Sequence, residues 1–326
     1  MHRMHIILTL YNLNMKFRVI SDIHLDLNEK HTPSFNDNIF TVVCGDTSGC
    51  PEKTIEWINT NVKNGLGVSG NHLPYNSMSP IQKLRDQLHE AFPLESNFTY
   101  LDVECDVASK EVEGILFVGS CFYSNMQITS SVNPNGDIDL NKRISKKYMN
   151  DYRYGIKEIK DGVAHLITPT EYVGWNKNAI DKFEEIVSIN EKSSNPKPVV
   201  IVTHYPMVRD VLEHSFYVDK NNFPSYGNDM IDWFEKHPSI KCHCCGHCHD
   251  MDEKHRYFKI SRKCGDLLVV NNSFGYYHNW HDMTFNPNRF VNTDTWEVEE
   301  IPESEDVVEE KNQRKHRMLE IMSWLG

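Results

Sequence analysis

The sequence contains no apolar run approaching the length of a membrane span. It has no excess of positive charge either. The net charge of −12 at pH 7 argues against a general nucleic-acid-binding surface. A disulfide framework is also missing. The nine cysteines are odd in number and irregularly spaced, which fits a reducing, cytoplasmic setting better than an oxidised scaffold. Residues 1–14 lack the long apolar core and small-residue cleavage site of a secretory signal, offering only Ile6-Ile7-Leu8 and then polar Asn12 and Asn14. Fold-like sequence starts at Met15-Lys16-Phe17, so residues 1–14 either precede a natural start at Met15 or form a disordered leader. No internal repeat is present. At 39% hydrophobic and 25% charged residues over 326 positions, the chain reads as globular, with length for one large domain or two ordinary ones.

What is present is a recurring unit: an apolar strand followed at once by Asp, Asn or His. Near the C-terminal end of the pattern lies Gly246-His247-Cys248-His249, after Ile240-Lys241-Cys242-His243-Cys244-Cys245. Residues i and i+2 of an extended segment project to the same side, so His247 and His249 can face one point, and neutral imidazole is the commonest metal ligand. The same spacing recurs in Asp22-Ile23-His24 after Phe17-Arg18-Val19-Ile20. Between the two lie Thr41-Val42-Val43-Cys44-Gly45-Asp46, Leu66-Gly67-Val68-Ser69-Gly70-Asn71-His72 and Val199-Val200-Ile201-Val202-Thr203-His204. Any single His or Asp is better read as packed or solvated. Seven such residues, each at a strand end, reverse that reading.

In order, these units resemble the calcineurin-like metallophosphoesterase superfamily, whose motifs read Asp-x-His, Gly-Asp, Gly-Asn-His, a His after a strand, and Gly-His-x-His. The motifs cover residues 22–249, and similarity to cytosolic bacterial-type single-domain members extends to Gly114–Ser120, Thr168-Pro169 and Val269–Tyr276. Strands alternating with helices already imply layered α/β architecture. The resemblance sharpens this to a four-layer α-β-β-α sandwich of two mixed sheets, with the site at strand C-terminal ends. It also implies two divalent ions, held by Asp22, His24 and His249 on one side and by Asn71, His204 and His247 on the other, with Asp46 bridging. Nitrogen and oxygen ligands suit Mn, Fe, Zn or Ni without choosing among them. The implied reaction is hydrolysis of a phosphomonoester or phosphodiester by metal-bound hydroxide, with His72 as general acid rather than ligand. The implied substrate is a phosphorylated small molecule or nucleotide.

Two positions depart from the family pattern. Leu73 stands where Asp or Glu often follows Gly-Asn-His, so another carboxylate must orient His72 or the acid is less committed. Gly45-Asp46 continues as Thr47-Ser48-Gly49, and no Arg flanks Asn71. The arginine clamp of the phosphoprotein phosphatases is therefore missing, which argues against that activity.

Elsewhere, Pro51 opens a predicted helix ended by Asn64-Gly65, and Pro80–Ala91 forms another with Ile81, Leu84 and Leu88 on its packed face. Residues 99–123 read as a hairpin turning near Val112-Glu113-Gly114. Ser124–Gly162 reads as a loop or lid that chooses substrate, with Tyr152, Arg153 and Tyr154 as contact candidates. Thr170–Val187 reads as a helix capped by Thr170. The domain is expected to span 15–295, followed by an acidic tail over 296–326 that ends in a short helix at Lys311–Leu325. Two rival readings remain. One is a catalytically silent relative serving as a binding scaffold, against which the full ligand set counts. The other is a zinc module on Cys242, Cys244, Cys245 and Cys248, against which strand alternation counts, since Cys242 and Cys244 then point opposite to Cys245.

Overall fold

The structure, a computed structural model, describes residues 15–28, 32–35, 37–153, 156–216, 218–276 and 284–301. The expected leader at 1–14 and the tail helix at 311–325 lie outside the described residues. In chain order the elements begin with β1 (Lys16–Ile20), α1 (Leu25–Asn28), β2 (Phe40–Cys44), α2 (Pro51–Asn61), β3 (Gly65–Val68), α3 (Ile81–Ala91) and β4 (Phe98–Tyr100). They continue with β5 (Ser109–Val112), β6 (Ile115–Ser120), α4 (Ile138–Tyr148), β7 (Lys157–Lys160), β8 (Val163–Leu166), α5 (Pro169–Glu191) and β9 (Val199–Thr203). The remainder are α6 (Arg209–His214), α7 (Phe223–Tyr226), α8 (Ile231–Lys236), β10 (Ile240–Cys244), β11 (Tyr257–Ile260), β12 (Leu267–Val270), β13 (Arg289–Asn292) and β14 (Glu297–Glu300).

The strands form two six-stranded mixed sheets, ordered β14-β13-β1-β2-β3-β4 and β11-β12-β10-β9-β6-β5, plus the separate hairpin β7-β8. In each large sheet the ligand-bearing strands are parallel: β1-β2-β3 in the first, β9-β10 in the second. Parallel neighbours end on the same side, so residues just past their C-termini gather at one rim.

Alternation along the strands explains the layers. Phe17, Val19, Val42, Leu66 and Val68 of the first sheet meet Phe117, Val200, Val202, Cys242, Cys244 and Val270 of the second in one inter-sheet core. The intervening residues face outward. Ile20 and Val43 pack under Trp57 and Ile58 of α2 and Leu84 and Leu88 of α3. Val199, Ile201, Cys245 and Val269 pack under Phe183 and Val187 of α5, Leu212 of α6 and Phe234 of α8. The result is the expected four-layer α-β-β-α sandwich. The same alternation separates the cysteines, with Cys242 and Cys244 between the sheets and Cys245 and Cys248 beneath the helices.

Several local expectations shift. The hairpin is shorter, β5-β6 alone, because β4 pairs with β3 in the other sheet. Its turn residues Glu113 and Gly114 have φ of 49° and 82°, the left-handed pair of a tight two-residue loop. Helix α5 is capped by Thr168, not Thr170: Thr168 and Glu171 form a reciprocal capping box with Pro169 in the first turn. Residues 124–162 are only partly loop, since they contain α4 and β7. The acidic stretch after 295 begins with a strand of the first sheet, β14, whose Val298 packs against the inter-sheet core. Acidic composition hid it, because an edge strand needs only one apolar face.

Phe117 sits fully buried between the sheets, 5.7 Å in ring-centroid distance from Phe17 and 5.6 Å from Phe40. Phe117→Ala should cost about 3–5 kcal/mol, through lost burial and the cavity left behind. Urea denaturation measures this; a loss below about 1 kcal/mol would show that the two sheets collapse onto the void.

Candidate metal centre

The rim is built by short backbone steps beyond the strands. The first sheet's ladder continues as Asp22 N–H donating to Gly45 O at 3.1 Å and His24 N–H to Asp46 O at 3.0 Å. In the second sheet, Gly246 N–H donates to His204 O at 3.0 Å. The sheets are then tied together. The backbone N–H of His247 donates to Asp22 Oδ1 at 3.2 Å and Oδ2 at 3.0 Å. Asp22, His24, Asp46 and His247 all adopt left-handed φ, between 46° and 65°, a conformation rare for such residues and concentrated at functional sites.

Two glycines permit this crowding. A Cβ on Gly246 would lie 1.8 Å from Ser21 Oγ and 2.8 Å from Asp22 Oδ2. One on Gly70 would lie 1.9 Å from Asp46 Oδ1. Neither position accepts a side chain without moving a candidate ligand.

The expected ligands gather into two groups, each with its ligand atoms within 4.8 Å of one another: Asp22, His24 and His249, and Asp46, His204 and His247. Asp46 also lies in a third group, with His24 and His72, so it stands between the other two. In the first group His249 Nε2 is 2.9 Å from Asp22 Oδ1 and 3.2 Å from His24 Nε2. In the second, His204 Nε2 is 3.2 Å from Asp46 Oδ2 and 2.9 Å from Asn71 Oδ1. The seven candidate ligands are all buried.

Hydrogen bonds fix which atoms face inward. His204 Nδ1–H donates to the carbonyl of Cys44 at 2.8 Å, so Nε2 is the atom turned to Asp46 and Asn71. Asn71 Nδ2 donates to Asp151 Oδ1 at 2.9 Å and meets Tyr75 OH at 3.2 Å, which leaves Oδ1 facing Nε2. With its Nδ1–H committed to Cys44, a neutral His204 turns its Nε2 lone pair toward two oxygen acceptors. Such a point calls for a cation. When a proton fills the role, His204 titrates at about 9: burial alone would lower it, but Asp46, Asp22 and the Cys44 carbonyl outweigh burial. Burial pushes His24 and His247 well down, which keeps them neutral, the form that ligates metal. His247 Nε2 is buried with no hydrogen-bond partner. Burial would raise Asp22 and Asp46, yet His249 beside the first and His204 beside the second hold both carboxyls below their usual range. The donor set therefore fits divalent ions, by chemistry and by geometry.

The ligands open into a cleft lined by Asp46, Asn71, His72, Tyr75, Tyr148, Asp151, Tyr226, His247, His249 and Tyr276, among others. No Lys or Arg is among the described residues lining it, consistent with the missing arginine clamp. His72 is half-buried, its ring stacked on Tyr75 at 4.0 Å and its Nε2 3.9 Å from Asp46 Oδ2. Leu73 is buried in the core beside α2 and α3. The carboxylate next to the imidazole is Asp46.

Of the lid candidates, Tyr152 packs on Tyr172 at 5.4 Å, and exposed Arg153 donates to the carbonyl of Lys147 at 2.7 Å. Neither lines the cleft, and Tyr154 lies outside the described residues. The residues just before them do line it, Asp151 included. The sequence reading also missed Tyr205, which stacks on His247 at 4.1 Å, and Asn271, which donates to the carbonyls of Gly246 and Cys248 at 3.2 Å. Tyr205 had a signal, its place next to His204; Asn271 lies in the quoted Val269–Tyr276 stretch.

The sequence matches no family model and no curated protein. Among solved structures it is similar to phosphopantetheinyl hydrolase from Mycobacterium tuberculosis, with a TM-score of 0.56 and 16% identity over 90% of this chain and 98% of that one. A dimetal phosphatase from Danio rerio aligns with a TM-score of 0.43 and 12% identity, over 79% of this chain and 87% of that one. The first likeness shows a shared fold, the layered sandwich of two mixed sheets described above.

Gly246→Ala should weaken Mn2+ binding by about 10–100-fold, the range seen when a ligand's supporting contact is disturbed. Equilibrium dialysis with elemental analysis reads the affinity, and an unchanged value would mean that the two ligand loops separate without harm.

Proposed function

We propose that the chain is a dinuclear metal-dependent phosphoesterase acting on a phosphorylated small molecule or nucleotide. The observation that supports it most is the convergence of His204 Nε2, Asp46 Oδ2 and Asn71 Oδ1, beside the buried and unsatisfied His247 Nε2. Asp22, His24 and His249 would hold one ion, Asn71, His204 and His247 the other, and Asp46 both. Two such ions supply Lewis acidity and a nucleophile drawn from water near neutral pH. The metal is one that accepts nitrogen and oxygen ligands, Mn, Fe, Zn or Ni.

The chain's own groups do the rest. Asp22 and Asp46 stay ionised in a buried setting, so each carries its charge to the ions. His204 is held in one tautomer by Cys44 O and needs no reorientation on binding. His72 would give a proton to the leaving oxygen, a role supported by its position at the cleft wall, stacked on Tyr75. With no Lys or Arg among the described lining residues, the cleft offers phosphate no side-chain cation of that kind, and bound ions would have to offset its charge. The nine cysteines are all free thiols, which suits a reducing cytoplasm.

Metal analysis of protein purified without chelator, with hydrolysis of aryl and alkyl phosphomonoesters and phosphodiesters, tests the proposal. A phosphopantetheinyl ester belongs in the panel because the similar solved structure is named for its hydrolysis. His204→Ala should bind about one equivalent of metal fewer and lose activity with it. Full occupancy in that variant would remove His204 from the ligand shell.

His72→Ala should keep both metals and lose rate according to leaving-group basicity. The loss should reach about 10²–10⁴-fold for an alkyl ester, whose alkoxide needs a proton, and be much smaller for a p-nitrophenyl ester. Equal losses on both esters would instead assign His72 to binding the phosphoryl oxygens.

A further inference from the structure

We infer that Asp151 is a positioning residue, which turns the Asn71 carboxamide so that its oxygen faces Asp46, His204 and His247. This rests on reading those residues as a metal site. A carboxamide has nearly the same shape either way round, but only one end can meet a cation. The wrong end would aim two N–H donors at it. Something must therefore choose the direction.

Tyr75 OH, 3.2 Å from Asn71 Nδ2, cannot choose, because a phenol both donates and accepts. Asp151 can. Its Oδ1 accepts from Asn71 Nδ2 at 2.9 Å and from the hydroxyl of Tyr172 at 2.7 Å, and an oxygen engaged by two donors has no proton to offer a reversed carboxamide. Reversing Asn71 would press its carbonyl oxygen against that acceptor oxygen, with both residues buried at the base of the cleft. Tyr172 comes from α5 and is itself fully buried, so Asp151 is anchored from behind. Asp151 sits on the one-turn 3₁₀ segment Asn150–Tyr152 after α4, 80 positions from Asn71. The segment between β6 and α5 thus shapes the second ion's ligand set as well as the cleft wall.

The test uses the full chain stripped of metal and titrated with Mn2+ alone. Stoichiometry is read by elemental analysis and the paired-ion signal by electron paramagnetic resonance. Wild type should bind two equivalents. Asp151→Ala should weaken the second equivalent by about 10–100-fold and leave the first nearly unchanged. Asp151→Asn keeps an oxygen to accept from Asn71, so it should recover most of that affinity. An unchanged second equivalent in Asp151→Ala overturns the inference, as does Asp151→Asn being as weak as Asp151→Ala.

If Asp151→Ala does not fold, the exchange variant decides. Asn71→Asp sets two carboxylates face to face, and adding Asp151→Asn restores a carboxamide–carboxylate contact in the opposite sense. The double variant should then bind the second Mn2+ more tightly than Asn71→Asp alone, and equal affinities overturn the inference. A wild type that binds no Mn2+ overturns the metal reading first and this inference with it. Two equivalents in wild type and in Asp151→Ala, with equal affinities, sink this inference alone.

Discussion

The candidate site depends on one contact, the backbone N–H of His247 donating to the carboxylate of Asp22 across the seam between the two sheets. One sheet brings Asp22, His24, Asp46 and Asn71, and the other brings His204, His247 and His249. Neither sheet holds a complete group of donors. Nearby, Ser21 pairs with Ser273 in an isolated parallel bridge, and Gly275 N–H donates to Asp22 O at 2.9 Å, closing the seam from the other side. A residue larger than Gly at 246 would press on Ser21 and Asp22 and part the seam. The inter-sheet core and the site are therefore coupled: packing that sets the distance between sheets also sets the distances among donors.

The strands and their ligands were legible because each is a local event. A run such as Val199–Val202 needs only β-branched residues to read as a buried strand, and the next polar residue must stand at its end. What surrounds the ligands was not legible. Asp151 meets Asn71 only because α4 and the turn after it fold back over the rim, and no periodicity encodes that. The sequence pointed to the segment that lines the cleft but not to Asp151 within it. In a 3₁₀ turn successive side chains diverge by a third of a revolution, so Asp151 faces the centre while Tyr152 turns back onto Tyr172. Composition misled at the other end, where the Glu-rich stretch looked like solvated tail and begins as a strand.

The cysteine-rich stretch shows how the period of a strand settles a question of chemistry. Cys242 and Cys244, with sulfurs 3.6 Å apart, lie in one apolar layer, while Cys245 and Cys248 lie in another. Burial raises the thiols of Cys244, Cys245 and Cys248 well above their ordinary range, which favours neutral packing groups over thiolate ligands. Among the described residues, none of these four cysteines joins a group able to hold a metal. The neighbouring His247 and His249 do.

Strand β14 has a bearing beyond the fold itself. Among the described residues it is the last strand of the first sheet, and an edge strand is where a strand from another molecule could pair. Its sequence, Glu-Val-Glu-Glu, makes such pairing unfavourable. Lys16 pairs with Glu299, Arg289 with Glu300 and Lys259 with Glu297, so neighbouring strands hold the glutamates in place. An incoming strand would have to lie alongside this row of carboxylates, a charge pattern that disfavours edge-to-edge pairing.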